Sequence, residues 1–403
     1  MAGAIIRTTG WALSLEIIMS ANLALKTVET ARSAADIARE LGPEFARRAD
    51  ARRDDDEFVA DNFALLKEAG LVEVGVPREL GGGGADVDEL AAMLRVIAYH
   101  CGSTGLAFSM HTHQVAIPAW RWKHQAPAKA AVEPLLKRIA AERIMLLSSG
   151  GSDWIGGSGK AEKVDGGYRI TASKVFTSGA PTGNVFMTGA VLETDEGPMV
   201  LHFGLPMNSP NVKVLDTWRT LGMRGTGSHD VSIEGHVVPD SGVAMKRKAG
   251  EWHPVFQIIA TIAFPLIYSV YLGVAESARD LAISLAKRKT PGRHAITLAG
   301  EMETELAAAR MAVDSMLAAV RLNAPSATTI NQVMIGRQLA GRHAIVAVEK
   351  AMELAGGVGF YRSAGLERRF RDIQAARYHP LQAGPQAEYA GSMALGLPVD
   401  KIF

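Results

Sequence analysis

The sequence predicts a mainly α-helical protein with a central antiparallel β domain, and three observations carry that prediction. Apolar residues recur at one-turn spacings before residue 140, change to short alternating runs between Met145 and Val243, and return to long helical periods after Ala249. At 403 residues the chain exceeds what one hydrophobic core usually holds. The expected division is an N-terminal extension over 1–28, a helical domain over 29–144, a middle β domain over 145–248 and a four-helix bundle over 249–403.

The extension is set apart because Ala4 to Met19 is apolar yet interrupted by Arg7, Thr8, Thr9, Gly10 and Glu16. A spanning helix needs about 20 predominantly apolar residues and a signal peptide an unbroken apolar centre, so neither is expected. In the helical domain Phe58, Phe63, Leu66 and Leu71 fall on one face between charged neighbours. The run Gly81 to Gly84 reads as a loop, since the strand, helix and lysine that a phosphate-cradling loop requires do not surround it.

In the middle region Tyr168 and Ile170 follow a turn at Asp165-Gly166-Gly167, and Val185, Met187 and Val191 precede one at Asp195-Glu196-Gly197. Val212 with Val214 and Val231 with Ile233 alternate in the same way. No helix of ordinary length intervenes, so these strands should pair antiparallel in a barrel or sandwich. Beyond Ala249, Leu298, Met302, Leu306, Ala309, Val313, Met316 and Val320 form one apolar stripe, with Glu301, Glu305, Arg310, Asp314 and Arg321 off it. Further helices near Pro254 to Lys287, Asn331 to Leu354 and Gln386 to Leu395 complete a bundle of four.

Charge narrows the function classes. The 43 basic and 42 acidic residues cancel, so no general field draws the chain to nucleic acid or to an anionic membrane, and a small-molecule partner is expected. The lone Cys101 cannot form an internal disulfide and suits a reducing compartment such as the cytoplasm. His111 and His113, two residues apart, cannot share one helix face, so no metal site is expected.

Several motifs occur in a telling order. They are Val76-Pro77 through Gly81-Gly82, Leu147-Ser148-Ser149-Gly150-Gly151-Ser152-Asp153, Lys174-Val175-Phe176-Thr177-Ser178 and Leu221-Gly222-Met223-Arg224-Gly225. Arg288 four residues before Gly292, Ala355-Gly356-Gly357-Val358-Gly359-Phe360 and Arg371-Asp372 follow. From about Thr30 onward the chain resembles the acyl-CoA dehydrogenase superfamily, with Phe176 and Ser178 where that family has Trp and Thr.

The resemblance implies a flavin, FAD with FMN as the alternative. Phe176 would supply an aromatic wall and Ser178 a hydroxyl donor, the two alternating on one strand and so sharing a face with Thr177 between them, while Ser148, Gly151 and Ser152 would add donors and unobstructed backbone. It also implies a homotetramer, in which Arg288 would reach a neighbour's cofactor pyrophosphate; a plain surface charge is the other reading. Gly356 and Gly357 would lie at the adenine end, or cap a helix.

Chemistry is where the chain departs from the family. Acyl-CoA dehydrogenation needs a carboxylate base, which the family places soon after Arg-Asp. Here that stretch reads Ile373-Gln374-Ala375-Ala376-Arg377-Tyr378-His379-Pro380, and the alternative neighbourhood Thr261-Ile262-Ala263-Phe264 is equally free of acid. Glu388 could serve only by folding back. His379 is the leading candidate for proton chemistry, with His113 and His111 in a stretch that often lines the pocket in this superfamily.

Three functions follow from the resemblance. The first, expected from the breadth of the family, is oxidation of the CH–CH group of an acyl-CoA thioester, with an electron-transfer flavoprotein as partner. The second is a two-component flavin monooxygenase supplied by a flavin reductase, favoured by Met223 to Asp230 and by His379. The third is a non-catalytic acyl-CoA or flavin-binding protein.

Overall fold

α1 (Ala34–Ala51), α2 (Ala60–Glu68), α3 (Val87–His100), α4 (Gly102–His124) and α5 (Lys129–Glu142) form the first helical layer. The structure is a computed structural model that describes residues 32–51 and 56–399; the extension expected over 1–28 lies outside the described residues. α3 starts sharply because Asp86 and Glu89 make a reciprocal capping box, each side chain accepting the other's backbone N–H at 2.9 and 3.1 Å. Phe63, Leu66 and Leu71 are buried as the helical period required, while Phe58 is half-buried against them. Gly81 to Gly84 fold back on Glu73 to Val76 through backbone hydrogen bonds, closing the loop that the sequence indicated.

The sheet has eight strands. β1 (Leu146–Ser148), β2 (Lys160–Val164), β3 (Gly167–Lys174) and β4 (Val185–Leu192) are followed by β5 (Met199–Pro206), β6 (Val212–Val214), β7 (Val231–Pro239) and β8 (Val243–Lys248). Their order is β6-β7-β3-β2-β4-β5-β8, with β1 also on β4. Most pairs are antiparallel as expected, but β1 and β2 both run parallel to β4, at its opposite ends, so the sheet is mixed. A parallel pair needs a crossover rather than a hairpin. The chain supplies one each time, through 149–184 and 165–184, and alternation within a strand carries no sign of it.

The long helices follow: α6 (Val255–Ala286), α7 (Arg293–Arg321) and α8 (Ala327–Ala355), then the short α9 (Leu366–Ile373) and α10 (Ala383–Leu395). The stripe from Leu298 to Val320 is buried throughout. α6 is apolar on all sides, as a helix surrounded by others must be. By length and composition it is the one described helix that could cross a membrane, yet 94% of its apolar window is buried inside the fold.

α6 also joins the two helical regions. A Cβ on Gly273 would lie 2.2 Å from the carbonyl oxygen of Arg95, so glycine is what allows α3 to pack this closely on α6. Glu276 fixes the crossing by accepting from Arg95 Nε at 2.6 Å and Arg310 Nε at 2.8 Å. One apolar core consequently joins α1 to α4 with α6 to α10, a second fills the sheet, and a third packs α5 against β1 and β4.

Candidate active site

The site forms where loops leaving the sheet meet α4, α6 and α8. Lys174 ends β3 with its side chain fully buried, donating to Asp153 Oδ2 at 2.7 Å, Ser158 O at 2.8 Å and Ser158 Oγ at 2.9 Å. Burial holds its pKa below the usual lysine range, against the pull of Asp153. Arg247 secures the other side of the same loop by donating to Trp154 O at 2.8 Å and Ile155 O at 2.5 Å. The segment from Gly150 to Ser158 is thus held at both sides.

Past Lys174 the chain leaves the strand. Phe176 adopts a left-handed backbone with φ 57°, a conformation that costs a bulky residue on the order of 1–3 kcal/mol. The expected alternation of Phe176 and Ser178 along one strand is therefore replaced by a turn. That turn leaves the phenyl ring 54% exposed and edge-on to Trp218, with ring centres 5.7 Å apart. Gly150 donates to Val175 O at 3.1 Å, which sets the glycine loop beside Phe176.

Thr177 is buried, and its hydroxyl has no hydrogen-bond partner among the described residues. Ser178 instead enters a hydroxyl chain, with Ser178 Oγ 2.8 Å from Ser228 Oγ and Ser228 Oγ 2.7 Å from Thr226 Oγ1. Thr226 donates its proton to Met223 O at 2.9 Å. Each hydroxyl has one proton, so the chain runs Ser178 to Ser228 to Thr226 and leaves Ser178 as an acceptor toward the cleft. The donor role suggested by the sequence does not fit this arrangement.

Arg371-Asp372 braces this loop. Asp372 is buried and accepts the Met223 N–H at 2.5 Å; burial raises its pKa, opposed by that bond and by Arg368, Arg371 and Arg369. A Cβ on Gly222 would lie 2.1 Å from Arg371 O, so the two loops are in backbone contact.

The three candidate histidines separate by environment. His111 accepts the Leu146 N–H at Nδ1, 3.0 Å, and donates from Nε2 to Val72 O at 2.8 Å, which makes it a neutral strut between helix and sheet. His113 donates from Nδ1 to Ser109 O at 3.0 Å, leaving Nε2 as an acceptor 3.4 Å from the Gln114 amide. Burial brings both pKa values down to about 4. Unfolded histidine titrates near pH 6.5, so between these values the unfolded chain binds protons that the fold refuses. Stability should be complete above about pH 6.5 and fall below it by about 1.4 kcal/mol per pH unit for each ring. Denaturant melts at about pH 7.5 and about pH 5 test this, and equal stabilities would contradict the buried placement.

His379 lies in the loop after α9, where a Cβ on Gly151 would come 2.2 Å from Pro380 Cγ. The glycine loop and the histidine loop are therefore pressed together. His379 Nε2 is 2.5 Å from the Tyr271 hydroxyl. Burial first, then Arg337 and His113, lower the imidazole pKa to about 3, while burial raises that of Tyr271 well above its usual value. The phenol keeps its proton and has Nε2 as its one hydrogen-bond partner among the described residues, an arrangement that fits donation to Nε2 and a single imidazole proton on Nδ1. Glu388 is exposed on α10 and does not fold back.

Other sequence candidates lie apart or are only partly described. Ser148 ends β1, half-buried, and Ser152 lies in the turn Gly151–Asp153, its side chain outside the described residues. Arg288 is exposed just past α6, and Gly356 and Gly357 are exposed just past α8. Short connections make α6 and α8 run the same way, so these three residues share one end of the bundle. Tyr271 is 15 residues before the end of α6, or about 22 Å along the axis. Within one chain, Arg288 and His379 are not brought together.

Sequence reasoning missed Tyr268, Tyr271 and Arg337. A signal existed for the last, because Ile330, Val333, Met334, Arg337, Ala340 and Ala344 are all buried on the stripe of α8, and only Arg337 is charged. No group of three His, Cys, Asp or Glu placed to hold a metal ion occurs among the described residues.

Comparison with known proteins agrees with this architecture. The acyl-CoA dehydrogenase N-terminal domain family matches residues 27–137 and the acyl-CoA dehydrogenase C-terminal domain family residues 266–382. The amino sugar nitrososynthase DnmZ of Streptomyces peucetius is 26% identical over 83% of this chain and 86% of its own. A pigment production hydroxylase of a Rhodococcus species is 27% identical over 89% of this chain and 95% of its own. A solved structure of KijD3 in complex with FMN and dTDP-3-amino-2,3,6-trideoxy-4-keto-3-methyl-D-glucose superposes with a TM-score of 0.84 at 25% identity, covering 93% of this chain and 96% of that one. The chain belongs to the acyl-CoA dehydrogenase superfamily, as a flavin-dependent oxidoreductase of that fold.

Proposed function

We propose that the chain is a two-component flavin monooxygenase acting on a small organic molecule, with reduced flavin delivered by a separate reductase. The observation that carries this reading is the chemistry of the His379 loop, where a neutral imidazole with its proton on Nδ1 stands in the place of a carboxylate. Abstraction of a thioester α-proton needs a base with a free lone pair. His379 has its lone pair engaged by Tyr271, Asp372 is committed to Met223, and Glu388 faces solvent. The names of the nitrososynthase and hydroxylase relatives support the same reading over acyl-CoA oxidation by an enzyme feeding an electron-transfer flavoprotein.

The residues present suit a flavin. An exposed phenyl wall at Phe176, a buried hydroxyl at Thr177 without a partner among the described residues and the acceptor at Ser178 are consecutive residues of one turn. When bound, reduced flavin supplies two electrons and two protons, so that one oxygen atom of dioxygen enters the substrate and the other leaves as water. His379 would donate from Nδ1, and its loop lies beside the flavin residues because Pro380 presses on Gly151 while Gly150 is bonded to Val175 O, next to Phe176. Ser178, able only to accept, suits the extra N–H of the reduced ring. Arg288, Gly356 and Gly357 bear only on the far half of a dinucleotide, and from their end of the bundle they would reach FAD held by a neighbouring chain in a homotetramer. FMN needs only the residues around Phe176.

Titration with oxidised and with reduced flavin, both as FMN and as FAD, tests the reading. Reduced flavin is expected to bind at least about tenfold more tightly, the scale of one well-placed hydrogen bond. Ser228→Ala, which releases the Ser178 proton, should narrow that ratio. Absence of saturable binding by either redox form would sink the flavin site.

A further inference from the structure

Arg337 is 1% exposed, deep between α6 and α8. Its guanidinium donates to three carbonyl oxygens, Nη2 to His379 O at 2.6 Å and to Ala376 O at 3.5 Å and Nη1 to Gln338 Oε1 at 3.0 Å, and it also interacts with the Tyr268 hydroxyl. Its Nε is buried without a partner among the described residues. The guanidinium lies over the ring of Tyr268, 5.3 Å from its centre, and the Tyr268 hydroxyl donates to Ala376 O at 2.8 Å. A buried cation without a carboxylate partner is costly. A neutral amide could hold two carbonyls, so loop anchoring alone does not explain the charge.

The groups facing the His379 ring are few. Tyr268 and Tyr271 approach from α6, with ring centres 6.3 and 5.5 Å away, Arg337 comes from α8 and His113 from α4. On its own loop Arg377 and Tyr378 point to solvent. Among the described residues Arg337 is thus the one permanent charge beside the ring, bonded to the backbone that carries it. A positive charge there opposes a second proton on the imidazole.

We propose that Arg337 is a positioning residue for His379: it clamps the loop through the carbonyls of Ala376 and His379, which holds Nε2 against the Tyr271 hydroxyl so that the proton stays on Nδ1, and its charge adds to burial in opposing a second proton on the ring. The functional weight of this rests on the reading of His379 as the donor, but the claim about the ring is independent of it.

Nitrogen-edited NMR of labelled histidine rings in the protein alone tests the proposal, with His379→Gln to assign the signal. In the wild type the His379 ring is expected to show one Nδ1–H tautomer and to stay about nine-tenths neutral from about pH 8 down to about pH 4, where a midpoint one unit higher would leave it about half protonated. Arg337→Met should raise its titration midpoint by at least about one unit, a tenfold shift in protonation, and mix the tautomers. Arg337→Lys should keep the ring neutral. Should Arg337→Met fail to fold, Arg337→Gln retains a donor without the charge and carries the same expectation. A folded Met or Gln variant with the wild-type tautomer and titration would overturn the proposal. If the ring responds as expected while His379→Ala turns over normally, the reading of His379 fails and that of Arg337 stands.

Discussion

Replacing His379 with alanine is expected to lower coupled product formation by roughly 10²- to 10⁴-fold, the range for a removed proton donor, and to leave flavin affinity unchanged. The imidazole touches Tyr271 and the Pro380 turn, whereas the groups assigned to flavin contact lie on Phe176, Thr177 and Ser178. Loss of the ring removes the Nδ1–H and leaves space for water beside the Tyr271 hydroxyl. Oxygen uptake should continue, with hydrogen peroxide replacing oxygenated product. His379→Gln restores a donor of similar reach and should recover part of the coupling. For a thioester dehydrogenase the same alanine variant would instead abolish anaerobic bleaching of oxidised flavin by acyl thioester. Wild-type rates and coupling in His379→Ala from about pH 6 to about pH 9 would remove the ring from the chemistry and shift attention to His113.

Lys174→Met is expected to destabilise the fold by about 3–5 kcal/mol, the cost of leaving one member of a buried ion pair alone. The ammonium is fully enclosed and makes three hydrogen bonds, to Asp153 and twice to Ser158. Without it the Asp153 carboxylate, 11% exposed, retains only its bond to Ser158. The loop from Gly150 to Ser158 should then loosen, so flavin binding should weaken together with stability. Adding Asp153→Leu removes the stranded charge and is expected to recover much of the loss, which a double-mutant cycle in denaturant measures. A cost for Lys174→Met below about 1 kcal/mol would mean that the loop is held by Arg247 alone.

The parts of the fold legible in the sequence are those with local causes. β3, β4, β6 and β7 carry alternating apolar residues next to Asp-Gly or Gly-containing turns, and the stripe of α7 repeats at the helical period. β2 escaped notice because Lys160 to Val164 buries only Ala161. Its parallel pairing with β4 depends on partners more than thirty residues away, Lys160 with Val191 and Ala161 with Leu192, to which alternation is blind. Phe176 and Ser178 were identified by residue type, but their relation was misjudged, since β3 stops at the buried Lys174 and the backbone turns left-handed two residues later. The histidine loop was found by its position after Arg371-Asp372. What fixes its chemistry was not found, because Tyr268, Tyr271 and Arg337 arrive from helices more than a hundred or some forty residues away in sequence.

The central claim is that the site formed by the Phe176 turn and the His379 loop serves oxygen transfer rather than thioester oxidation. The most direct measurement mixes the protein, loaded anaerobically with reduced flavin, with oxygenated buffer and follows oxygen uptake and peroxide release on the same time axis. The account predicts rapid oxygen uptake with peroxide appearing only after a distinct lag, because the site withholds water and supplies a proton donor. Peroxide released in step with oxygen uptake, as from free reduced flavin, would contradict it.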